Sequence, residues 1–550
     1  MGEQRHRIKR QLIELQVQRQ ADAWPLQTAV SRIYRQRLLP MIEECCTVLS
    51  KPNQCYRIET LTLDLGALDP EHLEEELIER LRVALPPALA AQLSVQEERA
   101  GSQAQPIQTQ AQLELLTAFV CTGTLPWWAD ADNPRLLADC LAHLLEQAPD
   151  ALRQLLQAVG ADHSALQRLI QHYADEQLAL LAALLLPAFP PALHQAPPML
   201  LALLAQTQAG DRSGSQRRRS FWANLLSTAA LPGETYPTPV AFYAAVLRRV
   251  ALALALPYRS LLAALLALLP VTGTDEERAF RELLEQLYRS EALPELTDRA
   301  AGAQAVPPVG VPTEQSVDRY DRDLTNTPLA APDDKPMDRL AARTLLGQVA
   351  LPQSRLTAIA GIEKRATARR SRLPGQDADV TEGTADEVYV GNAGLVLLWP
   401  FLGHFFTRLG LLVEQQFKDE AARQRAVGLL QHLATGATDF PEYLLPLNKL
   451  LCGLDLAQLF DFGAPLTDGE ADEAPALLRA VIEHAPILRD MTPTGLQGTF
   501  LLRQGVLRTG AGAWLLQVER ESYEVVLERF PWSWEWVKLP WMAVPLRVEW

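Results

Sequence analysis

Proline placement constrains this chain more than any other feature: 39 of its 550 residues are proline. An interior proline removes a helix hydrogen bond and costs about 3 kcal/mol. Apolar helical pattern must therefore be cut into short lengths. Leu178–Ala205 is the one long stretch that is both apolar and almost free of charge, and Pro187, Pro190, Pro191, Pro197 and Pro198 split it in two. A spanning helix needs about 20 apolar residues without interruption, so the pattern predicts a pair of buried helices and no stable membrane span. Pro134 opens a segment that Pro149 stops, Gly160 ends the next, and others run from Ser164 to Leu186. Short amphipathic helices joined by tight turns suit a stacked helical array.

The first 95 residues read differently. Ile13, Leu15 and Val17 alternate as a strand does, and Leu61, Leu63 and Leu65 do so again before Gly66. Between them Leu26, Ala29, Val30 and Ile33 repeat at helical spacing behind Pro25. Asp69-Pro70 then supplies an N-cap and a first-turn proline for a helix whose apolar face is Leu73, Leu77, Ile78, Leu81 and Leu85. The pattern is βαβα over residues 1–95, followed by a Gln-rich linker at 96–112.

Residues 113–206 form the helical block, 207–220 a polar insert, and 221–293 a second helical block. From 294 to 388 proline, Asp, Arg, Thr and Gly dominate and periodicity fades, apart from a short helical pattern at Met337–Gln348. That composition predicts a disordered connector. Residues 389–550 are dense again. Leu395–Leu412 reads as a helix broken at Pro400; Glu414–Thr435 and Ala476–His484 also read as helical. Trp514, Leu516 and Val518 alternate as a strand, and Leu546–Trp550 reads as a closing strand that could share a sheet with Ile8–Val17. The fold class expected is α+β, predominantly α-helical: an N-terminal βαβα unit, a helical-array middle, a Pro-rich connector and a C-terminal helical domain closed by strands.

Chemistry is hard to find in these residues. The net charge of −15 argues against nucleic acid as the main partner. Arg217–Arg219 and Lys364–Arg372 are the clearest basic runs, and neither has the aromatic interleaving of a nucleic-acid site. They read as solvated loops or docking points for an acidic partner. Six cysteines (Cys45, Cys46, Cys55, Cys121, Cys140 and Cys452) form no CxxC pair and read as reduced thiols. No phosphate-binding loop and no HExxH is present. Asp377, Asp379 and Glu382 lack the glycine and closing glutamate of a calcium loop. Glu74, Glu75 and Glu76 suit the solvated side of a helix. The residues point to no enzyme, no cofactor and no metal.

One cluster resists that treatment. Trp532, Trp534, Trp536, Trp541 and Trp550 are five of eleven tryptophans, all near the C-terminal end. The alternation of Trp532, Trp534 and Trp536 would put three on one strand face. Such a face serves a core, or it anchors a partner. Both readings stay open.

Several strings in the last block occur in an order that resembles one family. They are GNAGLVLLWPFL at Gly391–Leu402, LGLL at Leu409–Leu412, RAVGLLQHLATG at Arg425–Gly436 and PLNKLLCGL at Pro446–Leu454. FLLRQGVL at Phe500–Leu507, W-x-L-x-V at Trp514–Val518, and FPWSWEWVKLPWM with LRVEW complete the series. IKRQLIELQV at Ile8–Val17, LTLDLG at Leu61–Gly66 and FVCTGTLPWW at Phe119–Trp128 add weaker matches. Together they resemble the tape measure proteins of contractile injection systems, which are phage-tail-like particles. The resemblance implies a non-enzymatic structural protein that sets the length of the inner tube and sheath, from inside the tube. It implies assembly in the bacterial cytoplasm with tube, baseplate or hub, and cap proteins and an associated ATPase as partners. An assembly chaperone or adaptor for tube, baseplate or cargo proteins is the alternative.

Overall fold

The computed structural model describes residues 6–9, 11–17, 19–51, 56–100, 107–190, 193–206, 214–231, 236–270, 274–301, 387–488, 490–510 and 512–550. Most of the connector, including Met337–Gln348, Lys364–Arg372 and the Asp377–Glu382 stretch, lies outside them, as does Cys55. The fold is α+β and predominantly helical. The chain divides into two compact units: Met1–Leu152 with Glu382–Trp550, and Arg153–Thr381.

The first unit begins with α1 (Gln20–Ile33), which continues through a π-turn at Tyr34–Leu38 into α2 (Leu39–Leu49). Asp69 caps the turn that opens α3 (Leu73–Ala100), accepting from the Glu71 backbone N–H at 3.0 Å. Val30, Ile33, Leu38, Leu77, Leu81 and Leu85 form the core between these helices. Pro86 and Pro87 sit inside α3, where the buried row Leu81, Leu85, Leu89 and Leu93 holds it together. Of the expected 96–112 linker, the described residues 96–100 and 107–112 are helical, since α3 runs to Ala100 and α4 is Ile107–Thr122; α5 is Leu136–Gln147.

The two strands expected in the βαβα unit do not form. Leu61, Leu63 and Leu65 do face the helical core and their neighbours face out, but neither this segment nor residues 11–17 has a ladder partner among the described residues. Alternation fixes the two sides of an extended chain; it does not supply the neighbouring strand.

The C-terminal part carries a five-stranded sheet, order β1-β4-β5-β7-β6. Its strands are β1 (Val388–Val390), β4 (Gly505–Thr509), β5 (Trp514–Val518), β6 (Trp536–Val537) and β7 (Leu546–Glu549). All pairs are antiparallel except β5 with β7. Because β7 has β5 on one edge and β6 on the other, no edge is left for Ile8–Val17, and the expected pairing of the two ends is excluded. Between β1 and β4, Pro400 sits in the first turn of a helix, Trp399–Arg408, which follows a 3-10 turn at Ala393–Leu398. The break expected at Pro400 is there. Residues 414–419 are not helical: β2 (Leu412–Val413) and β3 (Gln416–Phe417) make a hairpin, and the next helix starts at Glu420.

That helix, Glu420–Thr435, is the centre of the domain, with Ala426, Val427, Leu429, Leu430 and Leu433 fully buried. Its interior position leaves no room for larger side chains at close approaches. A Cβ on Gly428 would lie 2.2 Å from the Phe462 ring, and one on Gly394 only 1.7 Å from the Phe500 carbonyl oxygen. Several buried polar groups bond to one another through this core. Asn392 Nδ2 donates to Gln431 Oε1 at 2.8 Å and to Asn448 Oδ1 at 2.7 Å. Lys449 Nζ donates to Glu442 at 2.6 Å and to the carbonyls of Leu456 and Gln458.

The second unit is entirely helical among its described residues. Its helices are α6 (Pro149–Val159, shared with the division), α7 (His163–His172), α8 (Asp175–Leu185), α9 (Ala196–Gln206), α10 (Gly214–Ala229), α11 (Pro239–Ala253), α12 (Tyr258–Leu268) and α13 (Asp275–Ala301). The proline-rich stretch forms α8 and α9, packed on each other, as its breaks require. No single described helix is long and apolar enough to cross a membrane. At the middle of the unit α10 packs on α7, α8, α9 and α11 and buries Phe221 and Trp222.

Arg217–Arg219 are therefore helical and not an exposed loop. Arg218 donates to the carbonyls of Ile170 (2.6 Å) and Tyr173 (2.8 Å) and pairs with Asp175 (2.6 Å), which also accepts from Trp222 Nε1 (2.8 Å). The basic residue fastens one helix to the turn between two others.

Candidate anchoring surface

The five clustered tryptophans divide between the core and one outward position. Trp541 is 7% exposed; its ring lies 5.7 Å from that of Phe406 and 5.1 Å from that of Phe417. Its Nε1 donates to the Leu451 carbonyl at 2.8 Å. Gly453, at φ +75°, allows this approach, since a Cβ there would sit 2.5 Å from the Trp541 carbonyl oxygen. Trp532 is half-buried, donates to the Leu397 carbonyl at 3.0 Å, and meets Phe401 and Phe530 edge to face. Trp534 meets Trp550 edge to face at 5.6 Å.

Trp550 is fastened in turn by a buried carboxylate. Its Nε1 donates to Glu524 Oε2 at 2.9 Å, and that oxygen also accepts from the Glu521 backbone N–H. Arg503 Nε lies 2.7 Å from the other oxygen, so the buried charge is neutralised locally. A charge so enclosed would be costly without such partners.

Trp536 alone turns out, 55% exposed. The three alternating tryptophans do not share a strand face, because only Trp536–Val537 is laddered and residues 531–535 are irregular. Val537 takes the buried side of β6, which forces Trp536 to the opposite one. Trp536 faces Arg547 across the ladder, and the register places Leu515 and Arg508 on the same outer row.

Polar contacts cross this outer face from end to end. Lys9 pairs with Glu387 (3.0 Å), Glu387 with Arg508 (3.1 Å), and Arg508 Nη1 donates to Gln517 Oε1 (2.5 Å). Gln517 Nε2 donates to Glu549 (2.9 Å), which pairs with Arg547 (3.0 Å). Partly exposed pairs of this kind contribute about 0–1 kcal/mol each. They order the face more than they stabilise it. What remains is a surface with one large exposed aromatic, half-buried apolar groups (Leu515, Val506) and paired charges.

Burial raises the thiols of several described cysteines. Cys140 is pushed up to about 12, chiefly by burial, and burial raises Cys452 well above its ordinary value. None of the described cysteines, at 45, 46, 121, 140 and 452, is in a disulfide. Sequence reasoning missed Glu524 and Arg503, which hold Trp550. Nothing in their local spacing marks them, because they meet only when the sheet closes.

Comparison with curated proteins finds no match. No solved structure matches either. A family model does, over residues 5–550, so nearly every element described above lies within its reach. This chain belongs to the contractile injection system tape measure protein family, a structural family of such particles.

Proposed function

We propose that this protein sets the length of the inner tube and sheath of a contractile injection system during assembly. The observation that carries the reading is the family match over residues 5–550, which leaves no large part of the chain for a separate activity. On this reading the protein works in the bacterial cytoplasm during assembly and then lies in the tube lumen. Tube, baseplate or hub, and cap proteins, with an associated ATPase, are its partners. Residues 389–550 serve as an anchor, with Trp536 as the exposed aromatic of the contact and Trp532, Trp534, Trp541 and Trp550 as its support.

One observation favours a second reading, an assembly chaperone or adaptor. A ruler made of one continuous helix of this size would reach on the order of 800 Å at about 1.5 Å per residue. The longest described helix is α3, with 28 residues, followed closely by α13. A folded chain of short helices holds other proteins more readily than it spans a tube.

The two readings part on particle length. Inserting or removing roughly 40 residues within 302–381, where no described packing is disturbed, changes a ruler by about 60 Å if helical or about 130 Å if extended. Electron microscopy of the particles measures this. A proportional shift supports the ruler, whereas native length with fewer particles supports the chaperone. Particles of native length and number in cells lacking the protein would dismiss both.

A further inference from the structure

Residues 389–550 keep their buried apolar side chains within one core, with a single exception. Among the described residues, that core draws its buried members from Val390 to Val548 and takes none from residues 1–152. The half-buried apolar groups packed against it also lie within 388–550. Tyr443 is 6% exposed, yet it alone of the buried apolar residues described in 389–550 is no part of that core. Its ring meets Phe119 of α4 edge to face instead, with 77° between the planes and centroids 6.2 Å apart. Burial raises its phenol and the charge of Asp132 adds to the rise, which puts the α4–α5 connection close by as well.

The turn that presents this ring is braced from the domain's own side. Tyr443 is the middle residue of a 3-10 turn, Glu442–Leu444. Glu442 belongs to the buried pair with Lys449, and the Leu444 carbonyl accepts from Asn392 Nδ2 at 3.5 Å. Both neighbours of Tyr443 are thus tied inward while its ring is committed to Phe119. Among the described residues, none of α1–α5 shares an extended packing seam with a helix or strand of 389–550. In a contact of that kind, one large aromatic seated in a packed site carries most of the energy.

We propose that Tyr443 is a latch: its ring holds residues 389–550 on residues 1–152, and its withdrawal frees the domain as an intact folded body. Tyr443 lies outside the domain's core, so release takes no packing from that core. The consequence bears on length. With the latch closed, residues 1–152 and 382–550 form one unit, and 153–381 is a loop whose residue count cannot set the distance between the two parts. With the latch open, the parts are joined through 153–381 alone, and that stretch sets how far they can separate. The latch does not depend on the ruler reading; it adds to it the step at which the chain becomes able to span.

The test uses the full-length protein. Arg7 donates to the Ala129 carbonyl at 2.6 Å and pairs with Asp130 at 3.2 Å, which keeps its neighbour Lys9 on the 1–152 side. Lys9 in turn pairs with Glu387 at 3.0 Å, so a zero-length carbodiimide joins the two as an amide while the latch is closed. Tyr443→Glu sets a carboxylate in the buried site beside Asp132, a placement that burial and like charge both oppose. The expected result is a Lys9–Glu387 link reduced at least about tenfold, read by mass spectrometry of the digest, with hydrogen exchange across Glu420–Thr435 unchanged. Tyr443→Phe, which keeps the ring, should retain the link. An undiminished link in Tyr443→Glu would mean that other contacts hold the domain. Lost protection across Glu420–Thr435 would mean that Tyr443 supports the domain's own core. Either result overturns the latch, and neither touches the ruler reading, which particle length decides.

Discussion

Lys449 sets the standard of exactness at the scale of single residues. Its ammonium is enclosed, with side-chain exposure of 2%, and its three donors are taken by Glu442 and two carbonyls. Removing one partner strands the other: Lys449→Met is expected to destabilise the C-terminal domain by about 3–5 kcal/mol, measured by urea unfolding. Adding Glu442→Gln should recover part of that loss. Glu470 tests charge in a different way. Hydrogen bonding to Arg425 is the main cause holding its carboxyl down to about 2, against an ordinary value of 4.5. A carboxyl whose pKa is lower folded than unfolded adds stability above the unfolded value and loses it as pH falls. Its contribution is thus complete above about pH 4.5 and fades toward pH 2. Glu470→Gln should flatten that acid limb and cost about 1–3 kcal/mol at neutral pH. Neither pair was legible in the sequence, because Lys449 and Glu470 look like surface residues until the chain folds back on them.

Elements were legible where a local signal decided them. Pro187 to Pro198 announced two helices, and two helices form there. Trp514–Val518 was visible as a strand from alternation, and Leu546–Trp550 read as a closing strand, of which Leu546–Glu549 is laddered. The same rule failed for residues 532–536, since a period of two presumes an extended chain and only the last of these residues is laddered. The tryptophans consequently have unequal roles, and substitution separates them. Trp541→Ala should cost about 3–5 kcal/mol of stability, the usual loss for a large aromatic removed from a packed core. Trp536→Ala should stay within about 0.5 kcal/mol, as exposed positions do. If the outer face anchors a particle protein, Trp536→Ala lowers the yield of complete particles although the protein itself melts normally. Calorimetry alongside particle counts distinguishes the two substitutions.

For the molecule as a whole, the least legible fact is that residues 1–152 and 382–550 make one unit. The strings that mark the family were readable at both ends, but contacts such as Phe119 with Tyr443, ring centroids 6.2 Å apart, leave no trace in local periodicity. Fragments 1–160 and 382–550, expressed together, are expected to copurify as a folded complex; failure to associate in a pull-down would deny that the unit is self-sufficient. Sheet order carries a further consequence for the chain as it is made. Of the strands in this sheet, β7 leaves the ribosome last, yet it lies inside the sheet between β5 and β6. Until it emerges, β5 shows a bare edge and Glu524 waits for Trp550. A message broken anywhere before Leu546 therefore yields a polypeptide with an unfinished sheet and a bare β5 edge, the kind of unpaired template that invites mispairing.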